Sequence, residues 1–180
     1  YQIIAFATKG DKPRVFNKLR ISPPLPPNYK NSYETGIFVT DVWDDIRELT
    51  SGYFAGDEAI RVGNGERFHK QQSPVSLLLR IILSSTKIGD TILDPFAGTG
   101  TTLVVSKQLN RNSIGIEIDP DNVDCINKRM DNMKSSDNIK KYYKEYIHTE
   151  NIREIWDMKN IEPKLINKKE KTLNLYEAQT

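Results

Sequence analysis

With a single cysteine, Cys125, the chain can form no intramolecular disulfide and no zinc site built from several thiolates, and its two histidines are too few for most imidazole-built metal centres. No metal is therefore expected, and a reducing, cytoplasmic setting is the simplest expectation. Long apolar runs are missing too. The best, Leu77 to Leu83, is interrupted by Arg80 and falls far short of the roughly 20 residues a membrane helix needs. With no signal-type start either, no membrane partner is expected. Nor does one sign of charge dominate: 26 Lys and Arg stand against 24 Asp and Glu, so any nucleic-acid partner must be met by a local patch.

What is present is one ordinary domain's worth of sequence, 180 residues with 37% hydrophobic and 28% charged side chains, enough to bury a core. The chain opens on Tyr1 and passes at once into strand-like residues, Gln2 to Ala7, an opening expected of a polypeptide cut from something longer. Three zones separate on composition. Residues 1–60 hold short β-like runs, Ile3 to Phe6 and Gly36 to Val42, divided by the proline-rich connector Ser22 to Asn28, which predicts an extended surface loop. Residues 61–130 are the organised centre. Residues 131–180 are rich in Lys, Asn and Glu and predict helices lying on the core.

The central zone reads helix, strand, glycine-rich turn, helix, strand, helix. Ser73 and Pro74 predict an N-cap and a first helical position for the apolar run through Leu83. Thr91 to Asp94 suits a buried parallel strand, and Thr101 to Leu109 carries apolar residues at helical spacing. Residues Ser113 to Ile118 form a second predicted strand. Asp119 and Pro120 then start a helix with Val123, Ile126 and Met130 on one face. Cys125, on that helix, reads as a small apolar residue. Strand, helix, strand in these lengths predicts a right-handed βαβ unit of a parallel sheet.

Its chemistry lies in the turn Asp94-Pro95-Phe96-Ala97-Gly98-Thr99-Gly100. Glycines there let the backbone approach a ligand, and the helix that follows presents unpaired N–H groups. Asp94 ends the first strand and Glu117, 23 positions later, ends the second, where an acid can accept both hydroxyls of a ribose. A mere tight turn with a capping acid would leave Glu117 without a reason. A phosphate loop is disfavoured because Thr101 replaces the lysine expected after Gly100, and a dinucleotide turn because Leu103 stands at the third glycine position. An acid at the start of the turn repels pyrophosphate but can hold an ammonium. S-adenosylmethionine carries an amino group and a ribose without phosphate.

Residues 94–102, preceded by Gly89-Asp90 and followed by Ile114-Gly115-Ile116-Glu117, closely resemble the cofactor motif of DNA methyltransferases that modify the exocyclic amino group of adenine or cytosine. His69-Lys70-Gln71-Gln72-Ser73-Pro74-Val75 is similar to the family segment that commonly reads H-P-T-Q-K-P, and Asp41-Val42-Trp43 to its D-V-W. Residues 1–17 resemble the strand and basic loop before these. The likeness covers residues 1–130 and, with the cofactor half last, matches the permuted beta class of the family.

The resemblance implies an α/β, Rossmann-like methyltransferase fold with a mostly parallel, partial sheet: a methyltransferase domain over 1–130 and a helical C-terminal appendage over 131–180. It implies S-adenosyl-L-methionine bound by Asp94, Pro95, Phe96, Ala97, Gly98, Thr99, Gly100, Thr101, Thr102, Glu117 and Ser73. The implied partner is double-stranded DNA with the target base flipped out, the amino nitrogen attacking the cofactor methyl directly. A restriction-modification system is the implied setting.

Departures from the family pattern matter. The family's D-P-P-Y or S-P-P-Y catalytic signature is matched here only by Ser22-Pro23-Pro24-Leu25, which lacks the aromatic residue and the apolar strand before it. The catalytic motif is therefore expected upstream of Tyr1, on an N-terminal portion or a partner subunit. Lys70 replaces a frequent proline, Asn122 a frequent tyrosine and Ser73 a frequent lysine, so Ser73 would offer a cofactor carboxylate a hydroxyl. For DNA, Lys9, Lys12, Arg14 and Lys18, with Arg20 against Asp11, form a basic stretch suited to phosphates. The alternative to an enzyme is a DNA- or partner-binding module that keeps the fold without the reaction.

Overall fold

The computed structural model describes residues 3–22, 35–49 and 56–157. Two short strands, β1 (Arg20–Ile21) and β2 (Ile37–Phe38), pair antiparallel. Helix α1 (Val75–Ser85) leads to strand β3 (Thr91–Asp94), helix α2 (Thr101–Gln108), strand β4 (Asn112–Gly115) and helix α3 (Pro120–Asp131). Two short 3-10 turns, Ser135–Asp137 and Ile139–Tyr142, precede α4 (Tyr143–Tyr146) and α5 (Ile152–Ile155). Strands β3 and β4 pair in parallel, Thr91 with Asn112 through Asp94 with Gly115, and α2 crosses between them. This is the α/β unit expected from the sequence.

Helix α1 buries Val75, Leu79, Ile82 and Leu83, the i, i+4, i+7, i+8 stripe of a core-facing helix. They meet Val105 and Leu109 from the α2 region. Residues 139–156, expected to lie on the core as an appendage, contribute Ile139, Tyr143, Tyr146, Ile152, Ile155 and Trp156 to the same cluster. Arg80, also on α1, is buried with them. Its guanidinium forks onto Asp45 at 2.8 and 2.5 Å and donates from Nε to the Tyr146 hydroxyl at 3.1 Å. The Trp43 ring lies 5.1 Å from that guanidinium.

Helix ends are closed by residues remote in sequence. The first α1 N–H, of Val75, donates to Glu58 Oε1 at 2.6 Å, and Pro74 rather than Ser73 occupies the N-cap. The predicted serine cap is thus replaced by a carboxylate from another turn, and burial raises the pKa of Glu58. At the other end, Asn17 Nδ2 donates to the Leu83 and Thr86 carbonyls at 2.7 and 3.1 Å. Buried Arg111 donates to the Thr86 and Leu109 carbonyls, closing α1 and α2 together, and desolvation lowers its pKa to about 10.

Other expectations need correction. Residues 3–6 form no strand: Ile3, Ile4 and Phe6 are exposed and lack a ladder partner among the described residues, and an apolar run without a partner strand does not make sheet. The second strand runs one residue earlier than predicted and stops at Gly115, after which the Ile116 N–H still reaches the Asp94 carbonyl at 2.9 Å. On α3 the buried residues are Asn122, Ile126 and Arg129, while Val123 is exposed. The N-cap of α3 is as read, the Asp119 side chain accepting from the Asp121 N–H at 2.9 Å.

The two faces of the parallel pair differ. Ile92 packs on the core, whereas Leu93 and its β4 neighbour Ile114 point the other way and are 61% and 55% exposed. Ile116 and Ile118, beyond β4, are exposed as well. Parallel sheets are ordinarily covered on both faces. Among the described residues, no helix is long and apolar enough to cross a membrane.

Candidate cofactor cleft

The cleft is built where β3 and β4 end. Asp94 closes β3, and its Oδ1 accepts the Phe96 N–H at 3.1 Å. The chain then turns through Gly98 at φ 52° and Gly100 at φ 78°, both in the left-handed region that favours glycine. Hydrogen bonds from Ala97 N–H to the Ile116 carbonyl (2.9 Å) and from Gly100 N–H to the Ala97 carbonyl (2.7 Å) fix the turn. A side chain at Gly100 would start 2.9 Å from Ile126 Cγ1. Glycine is required there by backbone and space together.

Glu117 turns back from the end of β4 into this loop. Its carboxylate accepts N–H groups from Gly98 at 2.7 Å and from Ile118 and Asp119 at 2.9 Å. The Asp119 N–H foremost, with those of Gly98 and Ile118 and the Asn122 side chain, holds the carboxyl below its ordinary pKa. Leu103, at the position where dinucleotide turns carry a glycine, packs onto Gly115, where an added Cβ would lie 2.9 Å from both Leu103 methyl carbons. Close approach of helix and strand is here allowed by the strand's glycine.

Ser73, Asp94, Phe96, Ala97, Gly98, Thr99, Thr101, Thr102 and Glu117 line one cleft of about 300 Å³, so most of the predicted cofactor residues come together. Pro95 and Gly100 are not on its wall, and Gly100 sits behind it against Ile126. His69, Gln71, Gln72 and Asn122 complete the lining. Of these, Gln72 escaped the sequence reading as a functional position. It is buried, accepts the Ile60 N–H and donates to the Glu58 carbonyl, both at 2.9 Å, so it braces the turn that caps α1. The doubled glutamine of the segment before Pro74 was the available signal. The described lining carries two carboxylates and no lysine or arginine.

The other predicted residues lie elsewhere. Ser22 is exposed, its N–H donating to the Glu145 carbonyl at 2.8 Å, while Pro23 and Pro24 fall outside the described residues. A strand does precede Ser22, but it is the two-residue β1. Lys9, Lys12 and Lys18 are exposed, and Arg14 pairs with Asp90 at 2.5 Å. Arg20 donates to the Thr35 and Gly36 carbonyls and stacks 3.9 Å over Phe38. A wider cleft of about 540 Å³, lined by Asp45, Glu58, Arg80 and Glu145 among others, holds none of the predicted site residues.

Comparison with known proteins places the chain in a family. A family model described as DNA methylase matches residues 1–129. The chain belongs to this DNA methylase family. It is similar to the type II methyltransferase M.BamHI of Bacillus amyloliquefaciens, 34% identical over 154 residues, covering 79% of this chain and 33% of that protein. It is also similar to the type II methyltransferase M.HinfI of Haemophilus influenzae, 47% identical over 83 residues, covering 46% of this chain and 23% of that one. Among solved structures, the M1.HpyAVI-SAM complex matches at 39% identity with a TM-score of 0.34, over 36% of this chain and 32% of its own. The chain thus spans between about a quarter and a third of the length of these relatives.

Proposed function

We propose that the cleft binds S-adenosylmethionine and that the methylase takes part in transferring its methyl group to the exocyclic amino nitrogen of adenine or cytosine in DNA. The observation that carries this reading is the charge of the wall: the carboxylate of Asp94 at the end of β3, that of Glu117 two residues beyond β4, and no lysine or arginine among the described lining residues. Such a wall suits a cationic ligand bearing a sugar diol and is hostile to a pyrophosphate. In this reading Glu117 accepts the ribose hydroxyls, Asp94 faces the ammonium, and the Ser73 hydroxyl serves the carboxylate. Phe96, Ala97, Gly98 and Thr99 form the backbone cradle, entered through Pro95, with Gly100, Thr101 and Thr102 fixing its exit into α2. The bound cofactor would supply an electrophilic methyl group, and the protein's part is to orient it.

The groups that engage the flipped base are assigned to polypeptide outside these 180 residues. Two observations support this: the chain spans a third or less of its curated relatives, and the face carrying Leu93 and Ile114 is left uncovered by the described residues. Lys9, Lys12, Arg14 and Lys18 are proposed to meet DNA phosphates, Arg14 by exchanging its pairing with Asp90.

Isothermal titration tests the reading. S-adenosylmethionine should bind the chain weakly, Asp94→Ala and Glu117→Ala should each weaken it further, and a nicotinamide dinucleotide should give no heat. No binding by the parent, with Asp94→Ala indistinguishable from it, would remove the cofactor assignment. Retained DNA binding without cofactor affinity would instead favour a non-catalytic module.

A further inference from the structure

Against the glycine turn, outside the lining of the cleft, lies a buried ion pair that the cofactor reading does not use. Arg129 of α3 is 4% exposed and Asp137, in the first 3-10 turn, 1%. The guanidinium forks onto the carboxylate, Nη2 to Oδ1 at 2.6 Å and Nε to Oδ2 at 3.0 Å. That leaves Nη1, which donates to the Thr99 carbonyl at 2.9 Å and to the Thr101 hydroxyl at 3.1 Å. Thr99 is the residue between the two left-handed glycines, and Thr101 opens α2. The far side of the pair is anchored in turn. Gln108, at the end of α2, donates to the Asp137 carbonyl at 2.9 Å and accepts the Ile139 N–H at 3.1 Å.

We infer that Arg129, braced by Asp137, is a positioning residue that holds the glycine turn in its ligand-ready shape. The inference rests on the reading of that turn as the cofactor cradle. Two glycines in three positions give the backbone many alternative conformations, and a hydrogen bond to the carbonyl between them selects one. Burying a charge pair is a poor route to stability, since well-packed apolar residues of similar volume often serve as well or better. What apolar residues cannot do is reach the Thr99 carbonyl. Lysine is a poor substitute, because it lacks the planar fork that meets Asp137 with two donors while presenting a third to Thr99.

The test separates holding the fold from holding the turn. In the 180-residue chain, the double substitution Arg129→Met with Asp137→Leu replaces the pair by apolar side chains. Three quantities are read: the urea midpoint, the affinity for S-adenosylmethionine, and amide hydrogen exchange at residues 98–101. The expected result is a midpoint close to the parent's, affinity weakened about tenfold as the ligand-ready population falls to about one in ten, and faster exchange confined to the turn. Parent-like affinity and exchange at a restored midpoint would overturn the inference and leave the pair a purely structural element. Should the double variant not fold, Arg129→Lys carries the same test, with faster turn exchange expected and parent-like exchange overturning it. If the parent itself fails to bind the cofactor, the cofactor reading falls, while the exchange measurement still decides whether Arg129 holds the turn.

Discussion

Glu117 Oε2 accepts the Gly98 N–H at 2.7 Å, so the acid two residues beyond β4 is tied to the first left-handed glycine of the turn after β3. The contact joins the two strand ends into one unit before any ligand arrives. Because the folded protein holds the Glu117 carboxyl below its ordinary value of 4.5, ionised Glu117 stabilises the fold. That contribution is complete above pH 4.5 and is lost as pH falls through the lower folded value. Glu117→Gln should therefore lower the urea midpoint at neutral pH, and the gap to the parent should close in acid. A gap independent of pH would mean that hydrogen bonding to the ionised form is not what holds the turn.

Gly100 should tolerate substitution less well than Gly65. Both have positive φ, 78° and 85°, so alanine at either incurs the left-handed backbone cost of about 1–2 kcal/mol. At Gly65 a new Cβ meets nothing within 4 Å, whereas at Gly100 it meets Ile126 at 2.9 Å. Gly100→Ala is expected to cost a further ~1–3 kcal/mol through overpacking, part of it recovered in an Ile126→Ala background, which removes both contacting γ carbons. Equal costs at the two glycines by urea denaturation would refute the steric argument.

The parts of this arrangement that were legible in the sequence are those set by local rules. Asp94, the glycines, Asp119 with Pro120 and the spacing to Glu117 follow from strand ends, turn chemistry and caps, all within short windows. What escaped depends on contacts across long separations. Glu58 caps a helix 17 residues away, Asn17 closes the end of the same helix from 66 residues back, and Trp156 completes a core begun near Leu19. Residues 131–157 look too polar to be interior because their buried side chains, Ile139, Tyr143, Tyr146, Ile152 and Ile155, are spread over short turns with no sustained period. Arg129 was indistinguishable from a surface charge because its further partners, Thr99 and Thr101, lie 30 and 28 residues back.

Two ion pairs should differ in worth. Arg80 is buried and forks onto Asp45, whose side chain is 32% exposed, whereas Arg14 meets Asp90 with its own side chain 69% exposed. Asp45→Asn weakens the partner of a buried guanidinium and should cost about 1–3 kcal/mol, below the full figure for a buried pair because Asp45 is partly solvated and Tyr146 remains. Arg14→Gln should cost no more than about 0.5 kcal/mol. The Arg80 hydrogen bond also lowers the Asp45 pKa, so this contribution is present above its ordinary 3.8 and disappears as pH falls through the folded value. Urea midpoints for both variants at neutral and acid pH check the ranking, and equal losses would count against it.

The uncovered sheet face gives the last expectation. Leu93 and Ile114 are side by side on β3 and β4, more than half exposed, on a parallel pair whose opposite face is packed. If other polypeptide normally covers them, their truncation should leave this chain's own stability almost unchanged, because they have little burial to lose. It should also remove a sticky surface. The double variant Leu93→Thr with Ile114→Thr is therefore expected to shift the urea midpoint by less than about 0.5 kcal/mol equivalent, as surface changes do, and to reduce self-association in sedimentation. Leu79→Ala, made in the buried core, should cost about 2–5 kcal/mol by contrast. A large stability loss from the double threonine variant would show that the face is already covered within the chain, and would withdraw the structural support for a covering polypeptide.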